Sequence, residues 1–167
     1  MEIGLSLGSN LGDRLALLAE ARSRILAIPG LALTAQAPVY ETEPVSVAPA
    51  FDDLLYLNTV LIVESAVELP ALSRALHAIE DQMGRRRTAD RNSPRPIDID
   101  IIYADGLSIV TGETIIPHPR WKERRFVVQP LADVRPGLVL PGEARTVKEI
   151  FRSLPEKERV TIFIKQW

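Results

Sequence analysis

Between Ile97 and Ile102 the chain reads Ile-Asp-Ile-Asp-Ile-Ile, and strict alternation of this kind marks a half-buried β-strand. A period of two turns Ile97, Ile99 and Ile101 toward a core. It sends Asp98 and Asp100 out of the opposite face, about 7 Å apart along the strand. Aspartate is depleted in strands, and like charges on one face repel unless something positive lies between them. Two hard divalent cations suit that gap, since paired metals in phosphoryl-transfer sites lie about 3.5–4 Å apart and take oxygen ligands. Immediately upstream, residues 85–95 carry five arginines against one acid, Asp90. Carboxylates that hold metals beside arginines that hold phosphates suggest an enzyme acting on a nucleoside triphosphate.

Composition narrows the partners. A length of 167 residues suits one domain, 1–167, with a substantial core. The net charge is −2, so there is no overall basic field of the kind that drives nucleic-acid binding, and locally clustered arginines favour a small anion. No stretch approaches the length of a membrane span, and Glu2 opens a strand-like segment, so neither a membrane nor a nucleic-acid partner is expected. The absence of cysteine excludes disulfides and thiol catalysis, argues against structural zinc, and is compatible with a cytoplasmic protein; a monomer is expected.

Local patterns supply the order of elements. Ile3, Leu5 and Leu7 alternate in a strand over residues 2–8. The glycines at 4, 8 and 12 resemble a phosphate loop, but no Gly-Lys-Ser/Thr follows, which rejects a Walker-type loop. Asn10 or Asp13 is placed to cap a helix over about 13–28, which Pro29-Gly30 stops. Residues 31–43 read as a strand, 44–52 as a loop, and Leu54 to Val63 as a further strand. Leu69, Leu72, Leu76, Ile79 and Met83 form a helical stripe ending at Gly84. With the Ile-Asp strand, the order strand, helix, strand, strand, helix, strand predicts a ferredoxin-like, split βαβ arrangement of α+β class. Additional C-terminal elements follow: a hairpin beyond Asp105-Gly106, a Pro-His-Pro corner at 117–119 and a basic cluster from Arg120 to Arg125. A short helix near 146–153 has Thr146 and Glu149 placed as a capping box, and a last strand spans Val160 to Lys165.

Read in order, Gly8-Ser9-Asn10-Leu11, Tyr40, Thr42, Tyr56-Leu57-Asn58, Glu80, Gly84-Arg85, Pro94-Arg95, Asp98-Ile99-Asp100, Pro117-His118, Arg124 and Phe126 resemble one family. It is the 6-hydroxymethyl-7,8-dihydropterin pyrophosphokinases of folate biosynthesis. The resemblance implies transfer of pyrophosphate from ATP to the pterin's hydroxymethyl oxygen, releasing AMP, with two magnesium ions. It implies that Asp98 and Asp100 hold metal, Asp98 also facing substrate, and that Arg85, Arg87 and Arg95 serve catalysis, with Arg91 a further phosphate donor. Glu80, Arg85, Arg95, Ile101, His118 and Arg124 would border the nucleotide, and Thr42, Val45, Tyr56, Asn58 and Phe126 the pterin. Tyr56 and Asn58 share a strand face, and an aromatic plus an amide suits a flat ring with a rim of donors and acceptors. If His118 binds phosphate as imidazolium, ATP affinity should fall as pH rises through its pKa.

The chain also departs from the family pattern. Asn92-Ser93-Pro94-Arg95 stands where many members have Trp-Gly-Pro-Arg, Pro119 replaces a frequent aromatic, and Glu113 and Ile115 stand at frequent polar nucleotide contacts. Two other readings use the same residues: another two-metal nucleotidyltransferase or nuclease, and a non-catalytic RNA-binding module.

Overall fold

Alternation builds the centre of the sheet. In the computed structural model β1 (Glu2–Ser9) is flanked on both sides, by β4 (Tyr56–Ser65) and β5 (Asp98–Ala104), all antiparallel. The structure describes residues 1–44, 53–86, 94–111, 114–156 and 159–167. Val45, Arg87, Arg91, Asn92, Ser93 and Glu113, together with most of the expected 44–52 loop, lie outside them.

The expected strand over 31–43 is two strands, β2 (Leu31–Gln36) and β3 (Val39–Thr42), which pair with successive parts of β4. The break falls at Ala37-Pro38, where Pro38 has no N–H for the ladder. Thr59 on β4 takes up the local carbonyls, its hydroxyl 3.1 Å from the oxygens of both Ala37 and Pro38. The C-terminal β8 (Val160–Ile164) adds to β3, so the order is β5-β1-β4-β3-β8 with β2 beside β4.

Helices cover both faces. α1 (Arg14–Leu26) and α2 (Leu69–Gln82) close one face over Ile3, Leu5, Leu7, Leu61 and Ile99. Asp13, not Asn10, caps α1, its carboxylate accepting from the Ala16 N–H at 3.1 Å. α2 buries Leu69, Leu72, Leu76 and Ile79, the stripe seen in the sequence, together with Glu80. It ends at Gly84, whose φ of +89° is the left-handed conformation that glycine adopts without a Cβ clash.

The second face carries α3 (Arg125–Val134), which the sequence reading missed, and α4 (Val147–Ser153). Pro130 lies inside α3 and reads as a helix breaker, yet Val127, Val128 and Leu131 pack it onto Val60, Ile62 and Ile102. Burial of that stripe outweighs the proline's local cost. The Thr146–Glu149 capping box at α4 forms in both directions. Beyond β5 the chain makes the expected hairpin, β6 (Ile109–Thr111) with β7 (Thr114–Ile116), and a single 3-10 turn at Trp121–Glu123 leads into α3. No helix among the described residues is long and apolar enough to cross a membrane.

Candidate active site

α3 and α4 cover only part of their face, and an open cleft lies at the uncovered end of the sheet. Strand register decides what lies there. Gly8 on β1 stands opposite Asn58 on β4 and, on its other side, opposite Asp98 on β5; Tyr40 stands opposite Asn58 from β3. One row across the sheet therefore runs Tyr40, Asn58, Gly8, Asp98. The next begins to repeat it, with Ser6 opposite Asp100 and Val60. Small residues, Ser6 and Gly8, make the floor. Asn58 and Asp98 stand two strands apart, about 10 Å at ordinary strand spacing.

On one flank Thr42, Tyr56, Asn58 and Phe126 line the cleft. The Asn58 amide is buried and donates to Thr42 Oγ1 at 2.8 Å. That bond fixes the side chain's direction and leaves its oxygen and one N–H for a ligand. Gly8 is what makes room, since a Cβ there would fall 2.8 Å from Asn58 Oδ1. Phe126 arrives from the start of α3, with the Arg124 guanidinium 5.8 Å from its ring centre.

On the other flank stand the two acids. Asp98 is ion-paired with Arg85 and, at 2.6 Å, with Arg95. Burial, reinforced by the charge of Asp98, pushes the Asp100 carboxyl up to about 6, while Arg124, Arg85 and Arg95 act in the opposite sense. Asn10 has a role other than helix capping. Its side-chain oxygen accepts from the Arg95 N–H at 2.8 Å and its own N–H donates to the Arg95 carbonyl at 3.3 Å. The end of β1 thus anchors Arg95.

Glu80 is 1% exposed. It accepts from the Ile99 N–H at 2.7 Å and from Arg85, so it joins α2, β5 and the arginine. Burial pushes its carboxyl up to about 7 against the pull of Arg85.

A second cleft adjoins the first, lined by Ser73, His77, Asp100, Ile101, Thr114 and His118 among others. Asp100 borders both. Burial first, and then Arg124, drives His118 down to about 4. Without a ligand the ring is therefore neutral near neutral pH, and an imidazolium contact would require a bound phosphate to raise its pKa. Its Nδ1 accepts from the Arg120 N–H at 3.1 Å, which leaves the proton on Nε2.

The structure thus brings together Thr42, Tyr56, Asn58, Arg95, Asp98, Asp100, Arg124 and Phe126 in one cleft, with Ile101 and His118 in its neighbour. Arg85 and Glu80 join from behind Asp98. Sequence reasoning missed Ser6, Gly8, Glu43 and Arg120 on the cleft wall. Glycine and serine alternating with leucine along β1 was the available signal, because small side chains repeated on one strand face leave space. Among the described residues no three of His, Cys, Asp or Glu gather into a metal cage. The two carboxylates nevertheless suit magnesium, which takes one or two protein carboxylates and completes its shell with water and phosphate oxygens.

An α+β protein with paired acids, arginines and an aromatic slot in one cleft has the layout of a phosphoryl-transfer enzyme. Comparison with known proteins makes this specific. The family profile "7,8-dihydro-6-hydroxymethylpterin-pyrophosphokinase (HPPK)" matches residues 4–136. A Methylorubrum extorquens 2-amino-4-hydroxy-6-hydroxymethyldihydropteridine pyrophosphokinase is 35% identical over 150 residues, covering 90% of this chain and 91% of that one. The Bacillus subtilis protein of the same description is 34% identical over 130 residues, covering 78% and 75%. An Arabidopsis thaliana folate synthesis bifunctional protein is 37% identical over 80% of this chain, which spans only 27% of that protein. Among solved structures, the Plasmodium falciparum HPPK-DHPS with pterin and p-hydroxybenzoate superposes with a TM-score of 0.72 at 14% identity, over 90% of this chain and 42% of that one. This last likeness is one of fold. The chain belongs to the 7,8-dihydro-6-hydroxymethylpterin-pyrophosphokinase family.

Proposed function

We propose that this chain transfers the pyrophosphoryl group of ATP to the hydroxymethyl oxygen of 6-hydroxymethyl-7,8-dihydropterin in folate synthesis, releasing AMP. The observation that carries this is the register row through Asn58, Gly8 and Asp98, which sets the Asn58 amide and the Asp98 carboxylate two strands apart in one cleft. A flat heterocycle bearing a short alcohol arm fits between such groups. The sequence relatives share this description over most of their length.

In this reading Tyr56 and Phe126 enclose the ring. Asn58, oriented by Thr42, reads its edge, and Val45 adds a backbone contact. Arg85, Arg87, Arg95 and Arg124 take phosphate oxygens with planar, permanently charged forks. His118 donates from Nε2 as a neutral ring. Ile101 and Glu80 border the nucleotide, Glu80 chiefly by holding Arg85. Asp98 and Asp100 would hold magnesium, two ions in this proposal; when bound, magnesium neutralises charge on the phosphate oxygens. The pterin oxygen attacks the β-phosphorus, the bond to the α,β-bridging oxygen breaks, and AMP leaves with that electron pair. The hydroxyl proton goes to solvent. Positioning and electrostatics account for the rate.

The same reading takes the chain as one ferredoxin-like domain, monomeric in action. The strand–helix–strand–strand–helix–strand order supports the fold, with β2 and β3 together as the second strand. The test is incubation with ATP, magnesium and the pterin alcohol, with products identified by mass. Pterin-dependent AMP and pterin diphosphate are expected; ADP, or no AMP, refutes the proposal.

A further inference from the structure

Arg120 lines the first cleft together with Tyr56, Asn58, Phe126 and the two acids, yet the reaction as written gives its side chain no task. Its neighbours in the cleft are already engaged. Arg85 and Arg95 are ion-paired with Asp98, and Arg124 leans over Phe126. The Arg120 guanidinium stands 3.7 Å from Glu123, with the two side chains 52% and 62% exposed. At that distance and exposure, water screens the pair and the contact holds the arginine weakly. The backbone is firmer, since the Arg120 N–H donates to His118 Nδ1. The side chain therefore starts from a fixed point and keeps its donor fork available. Its charge acts on both His118 and Arg124, the two groups proposed above to take phosphate.

Position selects the ligand. Arg120 borders the ring cleft and not the second cleft, where Ser73, His77 and Thr114 lie. A pterin alcohol offers no charge there, whereas a pterin carrying a diphosphate does. We propose that Arg120 binds the diphosphate once it is attached to the pterin, and so retains the pterin product more than the pterin alcohol. This rests on the reading of the first cleft as the pterin slot.

The experiment is a fluorescence titration, without nucleotide, of wild type, Arg120→Ala and Arg120→Lys with the pterin alcohol and with its diphosphate. Arg120→Ala should weaken the diphosphate about tenfold, the scale of a partly exposed charge-assisted bond, and leave the alcohol within about twofold. Arg120→Lys should fall between, because the charge stays and the fork is lost. Added salt should narrow the gap between wild type and Arg120→Ala. Unchanged diphosphate affinity, or an equal loss for both ligands, overturns the assignment while leaving the slot intact. If wild type binds neither ligand, the slot reading fails and takes this assignment with it.

Discussion

Gly8→Ala tests whether the floor of the cleft sets the direction of the Asn58 amide, proposed above to read the pterin ring. The added Cβ would sit 2.8 Å from Asn58 Oδ1, closer than real Cβ contacts allow. A terminal amide usually swings aside at little cost. Here Asn58 is 4% exposed and its Nδ2 is committed to Thr42 Oγ1 at 2.8 Å, so moving it breaks that bond inside the protein. Leaving that buried donor without its partner costs about 1–3 kcal/mol. The alternative, displacing β1, disturbs a strand paired on both sides. Pterin affinity should therefore fall about 10–100-fold, the equivalent of roughly 1.4–3 kcal/mol. Affinity for a nonhydrolysable ATP analogue should stay within about twofold. Pterin fluorescence titration and calorimetry measure the two. A double-mutant cycle sharpens the test: if Gly8 acts through Asn58, Gly8→Ala should add little in an Asn58→Ala background. Wild-type pterin affinity in Gly8→Ala, or full additivity in the cycle, would falsify the argument.

Three further perturbations address other parts of the molecule. Asp98→Ala should abolish AMP release with an unchanged far-UV spectrum, since Arg85 and Arg95 keep access to solvent when their partner goes; normal turnover removes Asp98 from the metal site. At Gly4 a Cβ would meet Tyr103 Cε1 at 2.2 Å, and that ring is held by its hydroxyl donating to Glu2 at 2.7 Å, so Gly4→Ala should destabilise by about 3 kcal/mol or more in urea unfolding. Glu80 has its folded pKa raised from 4.5 to about 7, so the ligand-free protein should lose stability as pH rises through that interval, by up to ~1.4 kcal/mol per pH unit. Glu80→Gln should flatten that slope in denaturant titrations between pH 5 and pH 7, and an unchanged slope would assign it to another group.

The elements that could be read from sequence were those whose pattern is local. Ile97 to Ile101 alternates strictly and forms β5; Leu69 to Ile79 repeats at helical spacing and forms α2; Thr146 and Glu149 cap α4. Where a local rule met a stronger tertiary one, the reading went astray. The local pattern gave no sign of α3, which the packing of Val127, Val128 and Leu131 holds despite Pro130, nor of the enclosure of Glu80 by β5 and Arg85. Asn10 sat where a cap was expected and instead anchors Arg95, a residue 85 positions away.

Residue identity and spacing by themselves determined the chemistry on offer: an acid pair on one strand face, arginines before it, and an aromatic two positions from an amide. Tertiary structure alone decided how these meet. Antiparallel register lines up Asn58, Gly8 and Asp98 from three strands, α3 leaves that end of the sheet open, and burial pushes the pKa of His118 down. Alternation is a property of neighbours along the chain. Register, cover and desolvation depend on segments far apart in it, which act on one another only once the sheet has formed.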